Sequence, residues 1–423
     1  MNLLKILSDQ KEELDAFELN ALVIRKEEKE ISLDSKLAQV VIGMRRSGKS
    51  TLCLQRLLRS GVNFAYVNFD DERLSGLKSE QLDDVLQALF RLNGAFTHLF
   101  LDEVQNIRSW PLLVNRLLRQ GMRLVLTGSN ANLLSGELST HLTGRYHQIE
   151  LFPFSFAEYC KANNVDTVSL STKADALRMR SLDGYMQSGG FPEIMSSGVP
   201  AEYTLSLLNA IVNKDICKRY KVRNRETLWK LANIVLDRFC QEISALELAK
   251  ELSIGSSHTV DNYLGYLANA YLIHPVRKFS FKSDERKTKI KYYAADMAFI
   301  SHHDDVLQPQ NLGWRLENVV FNELRRRINS EVQSIYYMKK ERETEVDFVI
   351  TDRTQVQELI QVTYNFTNPS AKLYNREIGG LLKAAARTRC NRLTLIVMEG
   401  NTGEVSQDGY TVRILKASDW LVS

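Results

Sequence analysis

Short apolar runs, separated by longer stretches with apolar residues three and four apart, dominate the N-terminal part of the chain. "LAQVVIGM", "FAYVNF", "THLFLDE", "MRLVLTGS" and "HQIELF" read as strands, and the stretches between them, like the segment before the first, read as helices. Strands alternating with helices predict a parallel α/β sheet. From about Ser155 to Leu207 the pattern is mostly helical, broken by "SGGFPEI", whose glycines and proline mark a turn. That stretch reads as the helical end of the sheet domain, residues 1–207. The helical pattern continues over 208–275, where "ISALELAKELSIGSSHTVDNYLGYLANAYLI" predicts a helix, a turn and a second helix. A winged helix-turn-helix over 208–291 is expected. From Tyr292 onward, a helix at "GWRLENVVFNELRRRIN" precedes strands at "SIYYMK", "EVDFVI" and "VQELIQVTY", a helix near "REIGGLLKAAART" and the strand "RLTLIVM". These predict a third, α/β domain over 292–423.

Composition narrows the classes. A chain of 423 residues with 44% apolar content can bury more than one core, at roughly 150 residues per domain. The 55 basic and 51 acidic residues leave a formal charge of only +4, so a nucleic-acid surface has to come from local clustering. Cys53, Cys160, Cys217, Cys240 and Cys390 form no C-x-x-C pair, which argues against a zinc ribbon or a disulfide framework and fits a reducing, cytoplasmic setting. No uncharged apolar run approaches the ~18 residues of a membrane helix.

The sharpest chemical signal is Gly43-Met44-Arg45-Arg46-Ser47-Gly48-Lys49-Ser50, followed by Thr51, which matches G-x-x-x-x-G-K-[ST] between a predicted strand and a predicted helix. Glycines let backbone N–H groups close around phosphate oxygens, and the helix N-terminus adds positive potential. Lys49 is placed to reach the β- and γ-phosphates of ATP, and Ser50 to ligate Mg²⁺. "HLFLDEVQ" ends an apolar strand in Asp102 and Glu103, the first suited to holding Mg²⁺ and the second to activating water. Ser129 or Asn130, after the next strand, could sense the γ-phosphate or simply cap a helix. Arg145, in "LTGR" before the fifth strand, could neutralise transition-state charge within its own subunit or in a neighbour of an oligomer. Arg45 and Arg46 are a further source of such charge.

"GMRRSGKST", "LFLDEVQ", "LVLTGSN", "LTGR", "FPFSFAEY" and "SGGFPEI", in that order, resemble the AAA+-type P-loop ATPases of bacteria and archaea that carry a C-terminal domain of unknown function. "YLGYLANAYLI", "KIKYYAADMAF", "LENVVFNEL" and "EVDFVI" extend the resemblance over essentially the whole chain. It implies an ATPase domain, a winged helix, and a domain similar to PD-(D/E)XK nucleases such as archaeal Holliday-junction resolvases. A nuclease of that kind needs an acid on its first helix, an Asp at the end of one strand and E-x-K on the next. Glu317 and Asp347 match the first two, but Gln361-Val362-Thr363 stands where E-x-K is needed. A degenerate, binding-only domain is therefore expected, with an ATP-gated nuclease as the alternative. Glu358 is an imperfect substitute, on the opposite face of the strand from Gln361.

Two basic segments suggest DNA as a partner. Residues 214–230 hold Lys214, Lys218, Arg219, Lys221, Arg223, Arg225 and Lys230, and residues 277–291 hold Arg277, Lys278, Lys282, Arg286, Lys287, Lys289 and Lys291. The second reads as a β-wing with Phe279, Phe281, Tyr292 and Tyr293 interleaved. The predicted second helix offers Ser256, Ser257, His258, Asp261 and Asn262, polar groups without a cation, so base reading is weak there. A solvated basic face remains the plainer reading of both segments, with a protein as the alternative partner. The leading expectation is an Mg²⁺-dependent ATP hydrolase whose nucleotide state governs a partner; a non-hydrolysing scaffold is the second alternative.

Overall fold

The computed structural model describes residues 2–19, 22–129, 142–197, 200–280, 289–301, 311–340 and 344–423. The chain forms two compact units. The first covers the chain through Pro153, with Asn269–Tyr271, and the second covers Phe154–Ala268 and Leu272–Ser423.

In the first unit, α1 (Leu3–Asp15) precedes a sheet of β1 (Ala38–Ile42), β2 (Phe64–Asn68), β3 (His98–Asp102), β4 (Arg123–Gly128) and β5 (Tyr146–Glu150), with helices α2 (Lys49–Ser60), α3 (Leu82–Asn93) and α4 (Trp110–Arg119) between strands. The order is β2-β3-β4-β1-β5, and every pairing is parallel. All five residues of β1 are buried, as a central strand covered on both faces requires. Leu52, Cys53 and Leu57 of α2 pack with Val41, Phe100, Val125 and Ile149 from four strands, so burial of that helix face fixes the loop that precedes it. These five strands are the ones the apolar runs predict.

The second unit takes in residues 154–207, the stretch expected at the end of the sheet domain. Polar contacts tie this stretch to the second unit. Phe154 N–H donates to Gly190 O, Gly190 N–H donates to Asp296 Oδ2 at 2.9 Å, and Arg178 donates to Asp419. Helices α5 (Thr172–Ser188), α6 (Arg225–Asp237), α7 (Ala245–Glu251) and α8 (Ser257–Asn269) lead to β6 (Glu242–Ile243, between α6 and α7), β7 (Ile273–Lys278) and β8 (Ile290–Ala294). There follow α9 (Leu312–Arg327), β9 (Gln333–Lys340), β10 (Thr344–Asp352), β11 (Gln355–Asn365), α10 (Ala371–Thr388), β12 (Leu393–Glu399), β13 (Gly403–Gln407) and β14 (Tyr410–Lys416).

The β-strands of this unit form one sheet, ordered β13-β14-β12-β11-β10-β9-β7-β8-β6. β7 pairs with β8 on one side and with β9 on the other, so the expected wing strands and the expected third domain share one hydrogen-bonded sheet. A division at 291/292 runs through β8. Ile378, Leu381 and Ala385 of α10 pack on Val349, Leu359, Leu395 and Val412 to make this unit's core. Among the described residues, no helix is long and apolar enough to cross a membrane.

Candidate nucleotide site

The loop between β1 and α2 is shaped by two glycines. Gly43 has φ +148°, and a Cβ there would lie 2.0 Å from Leu151 O, so only glycine allows that approach. Gly48 has φ +91° and caps α2 in the left-handed region. Lys49 is the first residue of α2, where the N-terminal N–H groups lack intrahelical acceptors.

Strand order explains which side chains converge. β4 lies between β1 and β3, so the end of β4 supplies groups that bridge the loop and the acidic pair. Ser50 Oγ donates to Asp102 Oδ1 at 2.8 Å, Thr127 Oγ1 donates to the same oxygen, and Tyr66 OH donates to Oδ2 at 3.3 Å. Burial, then the neighbouring Glu103 charge, push the Asp102 carboxyl up to about 6, against the pull of Thr127, Ser50 and Lys49.

Glu103 follows with φ +51°, an uncommon conformation for a side chain with a Cβ. Its N–H donates to Thr127 Oγ1 at 2.8 Å. Lys49 Nζ stands 3.5 Å from Glu103 Oε1 and donates to Met44 O at 3.0 Å. Gln105 Nε2 donates to Glu103 Oε2 and, at 3.2 Å, to Ser129 Oγ. Burial raises the Glu103 pKa, but Lys49 and these donors outweigh it and hold the carboxyl below its usual range.

Arg25, Thr127 and Gln105 were missed by sequence reasoning. Arg25 is buried and donates to Ser47 O at 3.0 Å and to Phe152 O at 2.9 Å, tying the loop to the segment that follows β5. Arg45 pairs with Asp70 at 3.3 Å, and Asn130 lies outside the described residues. Arg145 stands apart from the loop. Its carbonyl accepts from Ala38 N–H at the start of β1 and its guanidinium donates to Asn115. In a parallel sheet that is the end opposite Gly43, five residues or roughly 16 Å along the strand.

The loop fits a triphosphate and its Mg²⁺. Ser47 Oγ is fully buried without a hydrogen-bond partner among the described residues, an arrangement that costs free energy unless a ligand supplies one. Ser50 and Asp102 present oxygens, the donor type Mg²⁺ takes.

The second unit holds another buried charge cluster. Lys291 Nζ donates to Glu317 Oε1 at 3.1 Å and stands 3.8 Å from Asp347 Oδ1; Tyr293 OH donates to Glu317 Oε1 at 2.7 Å. Gln361 Oε1 accepts from Asp347 N–H, and Asp347 Oδ2 accepts from Val362 N–H. Thr363, two residues along β11, is buried as well. Glu358 is engaged elsewhere, by Arg392 and Thr394. The cluster thus has a lysine, delivered by β8 rather than β11. Burial and the Glu317 charge raise the Asp347 pKa well above its usual value, with Lys291 opposing. Among the described residues, no three His, Cys, Asp or Glu side chains converge to hold a metal ion.

This corrects the wing. Lys291 is 4% exposed, and Tyr292 and Tyr293 belong to the core; none of the three is a surface contact. Arg277 and Lys289 are exposed, while Phe281, Lys282, Arg286 and Lys287 lie outside the described residues. By contrast, Lys214, Lys218, Arg219, Lys221, Arg223, Arg225 and Lys230 are all exposed.

Comparison with known proteins matches residues 35–160 to the AAA domain family, and residues 179–310 to a domain of unknown function, DUF8612. "Uncharacterized protein MJ1544" of Methanocaldococcus jannaschii is 32% identical over 381 residues, covering 88% of this chain and 84% of that protein. An uncharacterized protein of Haemophilus influenzae is 33% identical over 309 residues, covering 70% and 76%. Among solved structures, the Walker-type ATPase PABY2304 of Pyrococcus abyssi is similar with a TM-score of 0.44 and 17% identity, covering 66% of this chain and 95% of its own.

Proposed function

The chain belongs to one family with the Methanocaldococcus jannaschii protein, and from that premise we propose that it is an ATP hydrolase whose nucleotide state governs engagement of a partner. The observation that carries the reading is the convergence of Lys49, Ser50, Asp102, Glu103 and Thr127 at the ends of β1, β3 and β4. Backbone N–H groups of residues 43–51 and the Lys49 ammonium would hold the phosphates. Ser50 and Asp102 would hold Mg²⁺, which when bound neutralises phosphate charge. Glu103, kept ionised by Lys49 and Gln105, would orient the attacking water and take its proton. Ser129, buried beside this pair, and Asn130 would sense the terminal phosphate. Residues 23–31 pack on α2 through Gln55, Arg56 and Arg59 and are the nearest candidates for the adenine pocket.

The test measures ATP affinity and steady-state phosphate release. Lys49→Ala should lose both, while Glu103→Gln should keep affinity and lose turnover by about 100-fold or more. Wild-type affinity in Lys49→Ala would overturn the cradle, and unchanged turnover in Glu103→Gln would move the base elsewhere. Absence of phosphate release in the wild type would favour a nucleotide-held scaffold.

For the partner, the exposed basic residues of 214–230 favour nucleic acid phosphates over a protein. In this reading α7, α8 and the β7–β8 hairpin act as a winged helix, and residues 292–423 as a nuclease-like module kept for binding.

A further inference from the structure

We propose that Gln105 is a positioning residue for Glu103, tying the base to Ser129 across the ends of β3 and β4; this rests on the hydrolase reading above. The two carboxylate oxygens of Glu103 have different keepers. Oε1 faces Lys49 Nζ at 3.5 Å, and Oε2 accepts from Gln105 Nε2. The lysine is a mobile point charge that bound phosphates compete for. The carboxamide is neutral, so phosphates do not draw it away, and its hold on Glu103 survives when Lys49 turns to the nucleotide.

The same Nε2 reaches Ser129 Oγ at 3.2 Å, and Ser129 is buried. One planar group therefore links the base to the end of the neighbouring strand. The orientation of the amide is fixed by chemistry, since a carboxylate oxygen only accepts and must face N–H. That choice leaves Gln105 Oε1 buried without a partner among the described residues. A water molecule drawn to Glu103 would supply the missing donor.

The backbone makes the arrangement specific. Glu103 sits at φ +51°, with its N–H on Thr127 Oγ1, and a short 3₁₀ turn over Val104–Asn106 brings Gln105 back onto the carboxylate. Two residues of a regular strand would point their side chains to one face without folding back in this way.

The experiment compares wild type, Gln105→Leu, Gln105→Asn and Gln105→Glu for ATP affinity, with a fluorescent ATP analogue, and for kcat. Loss of the donor should lower kcat about tenfold or more, with affinity within about twofold of wild type. Gln105→Glu, which adds a like charge beside Glu103, should lower kcat at least as far. Glu103→Gln/Gln105→Leu should be no slower than Glu103→Gln alone, as expected of two residues acting through one group. Should Gln105→Leu fail to fold, Gln105→Asn keeps the amide but falls a carbon short and reads the same way. A wild-type kcat in a folded Gln105 variant, or additive losses in the double variant, would overturn the proposal while leaving the hydrolase reading intact. A wild type that binds ATP without turnover would sink both.

Discussion

Lys49 and Lys291 are equally buried, each 4% exposed, and each faces at least one carboxylate, yet their surroundings suit opposite ends. Lys49 rests on one loop carbonyl and one carboxylate at 3.5 Å, at the open N-terminus of a helix. Lys291 lies within a strand, within 4.0 Å of Glu317, Asp347 and Glu345, with its ammonium 5.5 Å from the Tyr337 ring centre. The first can exchange its contacts for a ligand. The second would strand two buried carboxylates by leaving. Burial of a lysine therefore does not mark a site; what it would leave behind does.

The largest expected effect breaks this comparison at its closed member. Lys291→Met should destabilise the chain by about 3–5 kcal/mol, because Glu317 and Asp347 lose their counter-charge in place. Lys49→Ala should cost about 1 kcal/mol, since Glu103 retains Gln105 and lies beside an open loop. Urea unfolding of both variants without nucleotide checks the contrast, and equal losses would remove it.

Next in size is a gain. Native Asp102 has its pKa raised to about 6, so the folded state binds a proton more tightly than the unfolded one. Its contribution to stability is complete below pH 4 and is lost as pH rises to about 6. Asp102→Asn abolishes that loss while keeping an acceptor for Ser50 and Thr127. Above pH 6 the nucleotide-free variant should exceed wild type by about 2–3 kcal/mol, with the difference fading toward pH 4. A pH-independent difference would refute the assignment.

How much of this was legible follows from where the contacts come from. Residues 43–51 and the pair Asp102–Glu103 are contiguous, and strand alternation places them. Arg25, Thr127 and Lys291 act across strands whose neighbours the pattern does not name. Lys291 was hidden inside a charge run, although "KIKYY" places it among apolar residues with strand pairing on both sides. The place of Arg145 relative to the loop follows from strand direction. The polarity of a parallel sheet, itself predicted, sends the residue before β5 to the end away from the loop. The expected boundaries at 207 and 291 fall at changes of periodicity, which do not report that β7 pairs with β9.

A smaller effect sharpens the contrast between the two basic segments. If nucleic acid is the partner, charge reversal at Lys218, Arg219 and Lys221, all exposed, should flatten the log–log salt dependence of DNA affinity by about 0.9 for each phosphate no longer neutralised. Lys289→Glu, at one of two cations shown exposed in its segment, should change the slope by the equivalent of a single phosphate or not at all. Fluorescence anisotropy across salt concentrations measures both, and no binding at low salt would shift the partner to a protein.

The smallest expected effect is none at all: neither wild type nor Asp347→Ala should cleave DNA. Lys291 stands between Glu317 and Asp347 at 3.1 and 3.8 Å, so a divalent cation would have to displace an ammonium already held by both. The Asp347 carboxyl, with its pKa raised by burial and by Glu317, is the weaker metal ligand for that reason. Gln361 contributes a neutral acceptor already engaged by Asp347 N–H. The assay incubates linear, nicked and four-way-junction DNA with Mg²⁺ or Mn²⁺, with and without ATP. Cleavage by wild type that disappears in Asp347→Ala would show that Lys291 serves as the catalytic ammonium absent from β11, and the closed cluster would then be the resting state of a nuclease. No cleavage by either would leave Lys291 as the counter-charge that holds β8 to α9 and β10.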